Sequence, residues 1–367
     1  MKAAKRVART RAFLEEEGLD AIVVRDTTDL MWLTGFERVF DTERAHVGVL
    51  TPNIAIIHTD SRYSTAMLAA TEQEGQWYVN DDAMGCMSFT TELLRELELE
   101  KGRICIDAST PLDEYRILTR ELPGAELVER SSDIERLRAV KEPEELERMK
   151  QAQWVAENAW RAILKTLHPG MAERDISLQL EIAMHERGAD EPAFANIVAS
   201  GPNSAKPHSV PGERRLQYGD LVVFDFGARV NGYCSDTTRT VSIGRPTAQQ
   251  QRIYDAARTA NEEVQKAIRP GVTGRQMHEL AISVLESFGF GDKMGHSLGH
   301  GVGLDVHELP LASPRYDKEL VEGNVVTVEP GVYLPGQFGV RLEDCGVITG
   351  GGYVNFCGLN HELQVVE

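Results

Sequence analysis

Positive charge is scarce in these 367 residues: 39 Lys and Arg stand against 57 Asp and Glu, a formal net charge of −18. Nucleic acid and anionic membrane are bound by positive charge, so both make poor partners for this chain. Cysteine is scarce as well. Cys86, Cys105, Cys234, Cys345 and Cys357 are odd in number and show no CxxC spacing, which fits free thiols in a reducing compartment better than a disulfide framework. No run approaches the ~18 apolar residues of a membrane span, and residues 1–19 are charged and helical in pattern, without a signal peptide's apolar core. A cytoplasmic protein is expected. The 42% of hydrophobic residues suffices for packed cores, and the length predicts two or three domains.

What is present centres on Phe224 to Val241, read as F-D-F-G-A-R-V-N-G-Y-C-S-D-T-T-R-T-V. Asn231-Gly232 is a strong hairpin-turn signal between strand-like runs. With those two as the turn, Val230 pairs with Tyr233, Gly227 with Asp236 and Asp225 with Thr238. Asp225 and Asp236 then share one face as diagonal neighbours, roughly 7–8 Å apart. Two carboxylates aimed into one space repel unless something positive lies between them. Downstream stand His300, Glu329 and Glu343. Oxygen ligands with one imidazole suit Mn²⁺, Fe²⁺, Co²⁺ or Zn²⁺.

Upstream, helix and strand signals alternate. A helix over 2–17 ends at Gly18, and strands are predicted at 21–24, 46–50, 54–58 and 103–107. Asp60 and Arg62 are expected to form an ion pair. A boundary is predicted near Ser131-Ser132-Asp133, giving domains 1–130 and 131–367. Beyond it, Pro143 opens a helix expected to reach His168 and stop at Pro169-Gly170. An offset of 101 residues then superposes Pro169 on Pro270, Gly170 on Gly271, Arg174 on Arg275 and Gly188 on Gly289. The same offset carries Asp225 to within three residues of Glu329 and Asp236 to within six of Glu343. Each half therefore supplies two carboxylates, the layout of a metal pair on a pseudo-twofold axis. The glycines at 299–303 lack the Walker lysine and the GxGxxG spacing, so they are read as letting backbone approach the metals closely.

These segments resemble the metallopeptidase family of pita-bread fold that includes Xaa-Pro aminopeptidase, Xaa-Pro dipeptidase (prolidase) and methionine aminopeptidase. G-P-N-S-A-K-P-H at 201–208, G-L-D-V-H-E-L-P at 303–310 and V-E-P-G-V-Y at 328–333 match its motifs. So do the acids Asp225 and Asp236 at their spacing of eleven positions. W-L-T-G-F at 32–36 and T-D-S-R-Y at 59–63 are similar to the amino-terminal domain of the Xaa-Pro branches, which methionine aminopeptidase lacks.

The resemblance implies an α/β (α+β) protein, a creatinase-like amino-terminal α/β domain followed by a pseudo-twofold pita-bread catalytic domain. It implies a metal set of Asp225, Asp236, His300, Glu329 and Glu343 holding two divalent ions, Mn²⁺ first and Co²⁺, Zn²⁺ or Fe²⁺ as alternatives. The expected activity is removal of the residue preceding proline at a peptide's amino terminus, by attack of a metal-bridged hydroxide. Glu329 is then the proton shuttle. His208 and His307 contact substrate beside the scissile bond, with His307 on the oxyanion, and His296 lines the proline pocket. Arg341 is expected to share a strand face with Glu343, orienting it or binding a substrate carboxylate. The alternatives are a prolidase, or a family hydrolase or lyase acting on a non-peptide substrate. The metal-free creatinase branch and a binding-only module are disfavoured because all five ligand positions are filled. A homodimer in the cytoplasm is the family expectation.

Overall fold

The computed structural model describes residues 2–41 and 43–367. They fall into two compact units, one ending at Arg138 and one running from Ala139 to Glu367. The first is built on strands β1 (Ala21–Val24), β2 (Val47–Leu50), β3 (Ala55–His58), β4 (Tyr78–Asn80), β5 (Arg103–Ile106) and β6 (Glu126–Glu129). They form one mixed sheet in the order β4-β3-β2-β1-β5-β6. All four residues of β1, Ala-Ile-Val-Val, are buried, as a central strand covered on both faces requires. Helices α1 (Lys2–Glu17), α2 (Thr27–Thr34), α3 (Ser64–Glu74), α4 (Cys86–Glu96) and α5 (Leu112–Glu121) intervene, and α6 (Ser131–Ala139) occupies the segment read as a boundary. The Asp60–Arg62 pair forms at 2.7 Å on the surface.

The second unit opens with α7 (Pro143–Leu164). Glu142 and Glu145 cap its first turn reciprocally and Pro143 sits at N1, where a missing N–H costs nothing. This helix stops four residues before the expected His168. Thr166 and Leu167 already fold back on the Ile163 carbonyl, because the residue preceding Pro169 is driven out of the α region. Then come α8 (Glu173–His185), β7 (Glu191–Pro192), β8 (Ile197–Ser200), β9 (Leu221–Phe226), β10 (Ala228–Val230), β11 (Tyr233–Cys234) and β12 (Thr237–Ile243). Asn231 and Gly232 both take positive φ, 49° and 84°, as a type I′ turn demands. The turn sets the register: Val230 pairs with Tyr233 and Asp225 with Thr238.

The same plan recurs in α9 (Ala248–Ala267), α10 (Gly274–Ser287), β13 (Gly299–Gly301), β14 (Glu308–Ala312), β15 (Val325–Val328), β16 (Gly331–Leu334), β17 (Phe338–Arg341) and β18 (Asp344–Thr349). Strands β19 (Gly352–Asn355) and β20 (Gln364–Val366) close the chain. A bridge between Ala172 and Arg215 has its counterpart between Thr273 and Glu319. The offset is thus 101 residues on one side of the bridge and 104 on the other, so three residues are inserted in the second half. Applying the larger offset brings Asp225 onto Glu329. Asp236 directly precedes β12, and Glu343 directly precedes β18.

Side-chain parity decides what faces where. Val222, Phe224 and Phe226 of β9 and Val241 and Ile243 of β12 pack on Ala156, Trp160, Ile176 and Leu180 of α7 and α8. Each fully buried Phe there contributes roughly 2–3 kcal/mol. Asp225, Thr238 and Thr240 consequently project from the opposite face of this two-strand pair.

Candidate active site

That opposite face forms one wall of a cavity of about 670 Å³. All nine residues singled out from the sequence line it: Asp225, Asp236, His300, Glu329 and Glu343, with His208, His296, His307 and Arg341. Ligand atoms of Asp236, His300 and Glu343 lie within 4.8 Å of one another. His300 Nε2 is 3.6 Å from Asp236 Oδ2 and 3.5 Å from Glu329 Oε1. Its Nδ1 is 3.1 Å from the Gly301 carbonyl, which assigns the proton to Nδ1 and leaves the Nε2 lone pair facing the carboxylates. Asp225 stands outside the closest trio, with its Oδ2 held at 2.5 Å by Arg341.

The electrostatics are those of a site made for a cation. Burial, then the charges of Asp225 and Glu329, push the Asp236 carboxyl well above its ordinary value. Burial drives Glu343 in the same direction, reinforced by Asp236, Glu329 and Asp225. Glu329 is pushed up to about 8 by burial, against the pull of Arg341. Burial lowers His300 to about 4, with His307 adding to the effect, so its imidazole is neutral and able to ligate. Asp225 Oδ1 and Glu343 Oε1 are buried without a hydrogen-bond partner. Crowded carboxylates with bare oxygens beside a neutral imidazole fit divalent ions, whose charge reverses the cost of ionising each acid.

His307 stacks at a tilt on His300 with ring centroids 4.2 Å apart. Burial lowers its pKa first and the charge of His208 second; both imidazoles are exposed and line the cavity. Burial lowers His296 to about 4. Its Nε2 meets the Tyr333 hydroxyl at 3.0 Å. Cys234 and Cys345, each two residues from a candidate ligand, are buried free thiols, and burial raises the pKa of both.

Two expectations need correction. Arg341 does not share a strand with Glu343: it ends β17, whereas Glu343 precedes β18. Its guanidinium is committed to Asp225, to the Tyr333 hydroxyl at 2.9 Å, to the Pro207 carbonyl at 3.1 Å and to Thr238 Oγ1 at 3.1 Å. It therefore orients Asp225, with four of its five N–H donors engaged within the protein. The glycines flanking His300 serve neighbouring backbone and not the metal side. A Cβ at Gly299 would lie 2.2 Å from the Thr327 carbonyl oxygen, and one at Gly301 2.3 Å from that of Leu309. Sequence reading missed Tyr333 and Thr238. The hairpin register, which sets Thr238 opposite Asp225 on the same face, was the signal for the latter.

The model of Metallopeptidase family M24 matches residues 147–350, and that of the Creatinase/Prolidase N-terminal domain matches residues 6–140. An uncharacterized peptidase of Bacillus subtilis is 35% identical over 347 residues, 95% of this chain and 96% of that protein. A solved Xaa-Pro dipeptidase from Bacillus anthracis superposes with a TM-score of 0.92 at 33% identity, covering 99% of this chain and all of that one. An X-Pro aminopeptidase from Thermotoga maritima superposes with a TM-score of 0.88 at 32% identity, covering 98% and 99%.

Proposed function

Because the chain belongs to metallopeptidase family M24, with a creatinase-like unit ahead of a pita-bread catalytic unit, we propose that it is an Xaa-Pro aminopeptidase. Asp225, Asp236, His300, Glu329 and Glu343 hold two divalent ions. Manganese is the first choice for an oxygen-rich set with one imidazole. Such ions, when bound, supply Lewis acidity at the scissile carbonyl and lower the pKa of water.

The chain's own groups do the rest. Glu329 takes a proton from the attacking water and returns it to the proline nitrogen, a poor leaving group until protonated. His307, neutral and at the cavity mouth, donates an N–H to the developing oxyanion. His208 beside it binds the peptide backbone near the same bond. His296, held by the Tyr333 hydroxyl, walls the space for the proline ring. The resemblance carries a homodimer in the cytoplasm as part of the same proposal.

The observation favouring an aminopeptidase over a prolidase is the state of Arg341. Among the described residues lining the cavity it is the one lysine or arginine, and its charge is already paired with Asp225, four of its five N–H donors being engaged. A dipeptide would bring its free carboxylate, one residue past the scissile bond, into a cavity whose single guanidinium is already ion-paired. A longer peptide has no charge there. A charged group left without its hydrogen bond costs about 1.5–3 kcal/mol, or roughly 10- to 100-fold. The prolidase reading draws support from relatives named Xaa-Pro dipeptidase. The test compares Ala-Pro with Ala-Pro-Ala on metal-stripped protein with and without Mn²⁺. Mn²⁺-dependent cleavage of the tripeptide, with kcat/KM at least about tenfold above the dipeptide's, is the expected result. Cleavage of the dipeptide alone would overturn it in favour of a prolidase.

A further inference from the structure

Thr238 is fully buried and lies at a crossing of three contacts. Its Oγ1 donates to Glu343 Oε2 at 2.7 Å and accepts from Arg341 Nε at 3.1 Å. Its main-chain carbonyl accepts the Glu343 N–H at 3.1 Å. It is also paired in register with Asp225, whose Oδ2 is held by the same Arg341. A continuous run of hydrogen bonds therefore leads from Glu343 through Thr238 and Arg341 to Asp225. The bonding is selective: one oxygen of each carboxylate is occupied, while Glu343 Oε1 and Asp225 Oδ1 have no partner at all.

A hydroxyl has one proton to give. With Arg341 Nε supplying a hydrogen to Oγ1, that proton has a single acceptor, Glu343 Oε2. The geometry thus fixes the direction of every bond in the run, and with it the carboxylate rotamers at both ends.

We infer that Thr238 is a positioning residue for the metal pair, presenting the bare oxygens of Glu343 and, through Arg341, of Asp225 to the ions. The inference rests on the metal-dependent reading of this cavity and deepens it. Thr238 touches neither substrate nor ion. It fixes which oxygen of each carboxylate is free, so that ions meet ligands already turned toward them.

Thr238→Val keeps the branched shape and removes the hydroxyl, and Thr238→Ser keeps the hydroxyl and removes a methyl. Ser242→Ala is the control, since Ser242 shares the strand face and its hydroxyl bonds the Gly244 carbonyl, outside the run. Calorimetric titration of the metal-free full chain with Mn²⁺ alone reads affinity without reference to any substrate. Loss of an outer partner of a metal ligand costs about 10- to 100-fold in affinity. Thr238→Val is expected to bind Mn²⁺ that much more weakly, with Thr238→Ser within about threefold of wild type and Ser242→Ala unchanged. Wild-type affinity in Thr238→Val, or an equal loss in Ser242→Ala, would overturn the positioning role while leaving the metal site intact. A wild-type chain that binds no Mn²⁺ would overturn the metal reading and this inference with it.

Discussion

Asp236 shows how one side chain trades stability for function. Burial and the charges of Asp225 and Glu329 hold its carboxyl well above the ordinary carboxylate range. Near neutral pH without metal, ionising it works against folding. Asp236→Asn keeps the shape and deletes the charge. The metal-free variant should therefore be more stable than metal-free wild type, by about 1 kcal/mol or a rise of about 2–4 °C in Tm. The increment in Tm expected of wild type on adding Mn²⁺, which would follow from binding the native state alone, should vanish in the variant. Hydrolysis should fall by more than about 100-fold. Differential scanning calorimetry with and without Mn²⁺ checks the first two together. A variant less stable than wild type when metal-free would show that like-charge crowding is not what strains the site.

The hairpin carrying Asp225 and Asp236 was legible because its information is local. Asn231-Gly232 supplies two residues that tolerate positive φ, and the turn alone sets the register that pairs Asp225 with Thr238. Gly232→Val puts a β-branched residue at φ 84°, at a cost of about 1–2 kcal/mol. A hairpin that relaxes by changing its loop shifts Asp236 against Asp225, because one slipped residue reverses every side chain. Turnover should consequently fall by more than the stability loss alone explains, which is read by assaying at a temperature where the variant is fully folded. The end of α7 was misread because helical periodicity does not carry the fold-back of Thr166 and Leu167 onto Ile163 ahead of Pro169. The other elements that were misread depend on distant partners. The three-residue insertion hid the alignment of Asp225 with Glu329, which became visible through the paired bridges of Ala172 and Thr273. Arg341 was assigned to Glu343 by closeness in the chain, yet it bonds Asp225, 116 positions away.

Across the whole molecule, a repeated plan places two carboxylates in each half of the second unit, which made four of the candidate ligands legible, while the full set of five, His300 included, followed from the family resemblance. The cavity, the lowered pKa of His296, His300 and His307 and the commitment of Arg341 belong to tertiary packing, which spacing does not encode. The first unit carries a different kind of signal, an acid sensitivity apart from the metal site. His46 is 1% exposed, its Nδ1 bonded to Thr59 Oγ1 at 2.9 Å and its ring set edge-on to Phe40 and Tyr63. Burial lowers its pKa to about 4, outweighing the pull of Asp41 and Asp60. In the unfolded chain the same imidazole titrates near its ordinary value of about 6.5. Between those two values the unfolded state binds more protons, so stability rises with pH there. The contribution is complete above about pH 6.5, is lost progressively toward pH 4 and does not change further below it. From pH 7 to pH 5 the loss is at most about 2 kcal/mol, and it disappears in a variant that cannot titrate at this position. His46→Gln should be less stable than wild type at pH 7, having lost its ring contacts, yet lose less on acidification, so the two stability curves converge toward pH 5. Chemical denaturation of both chains at pH 7, 6 and 5 measures this. Parallel curves would mean that the imidazole takes up its proton as readily in the folded unit as in the unfolded chain, and that the packing around it tolerates the charge.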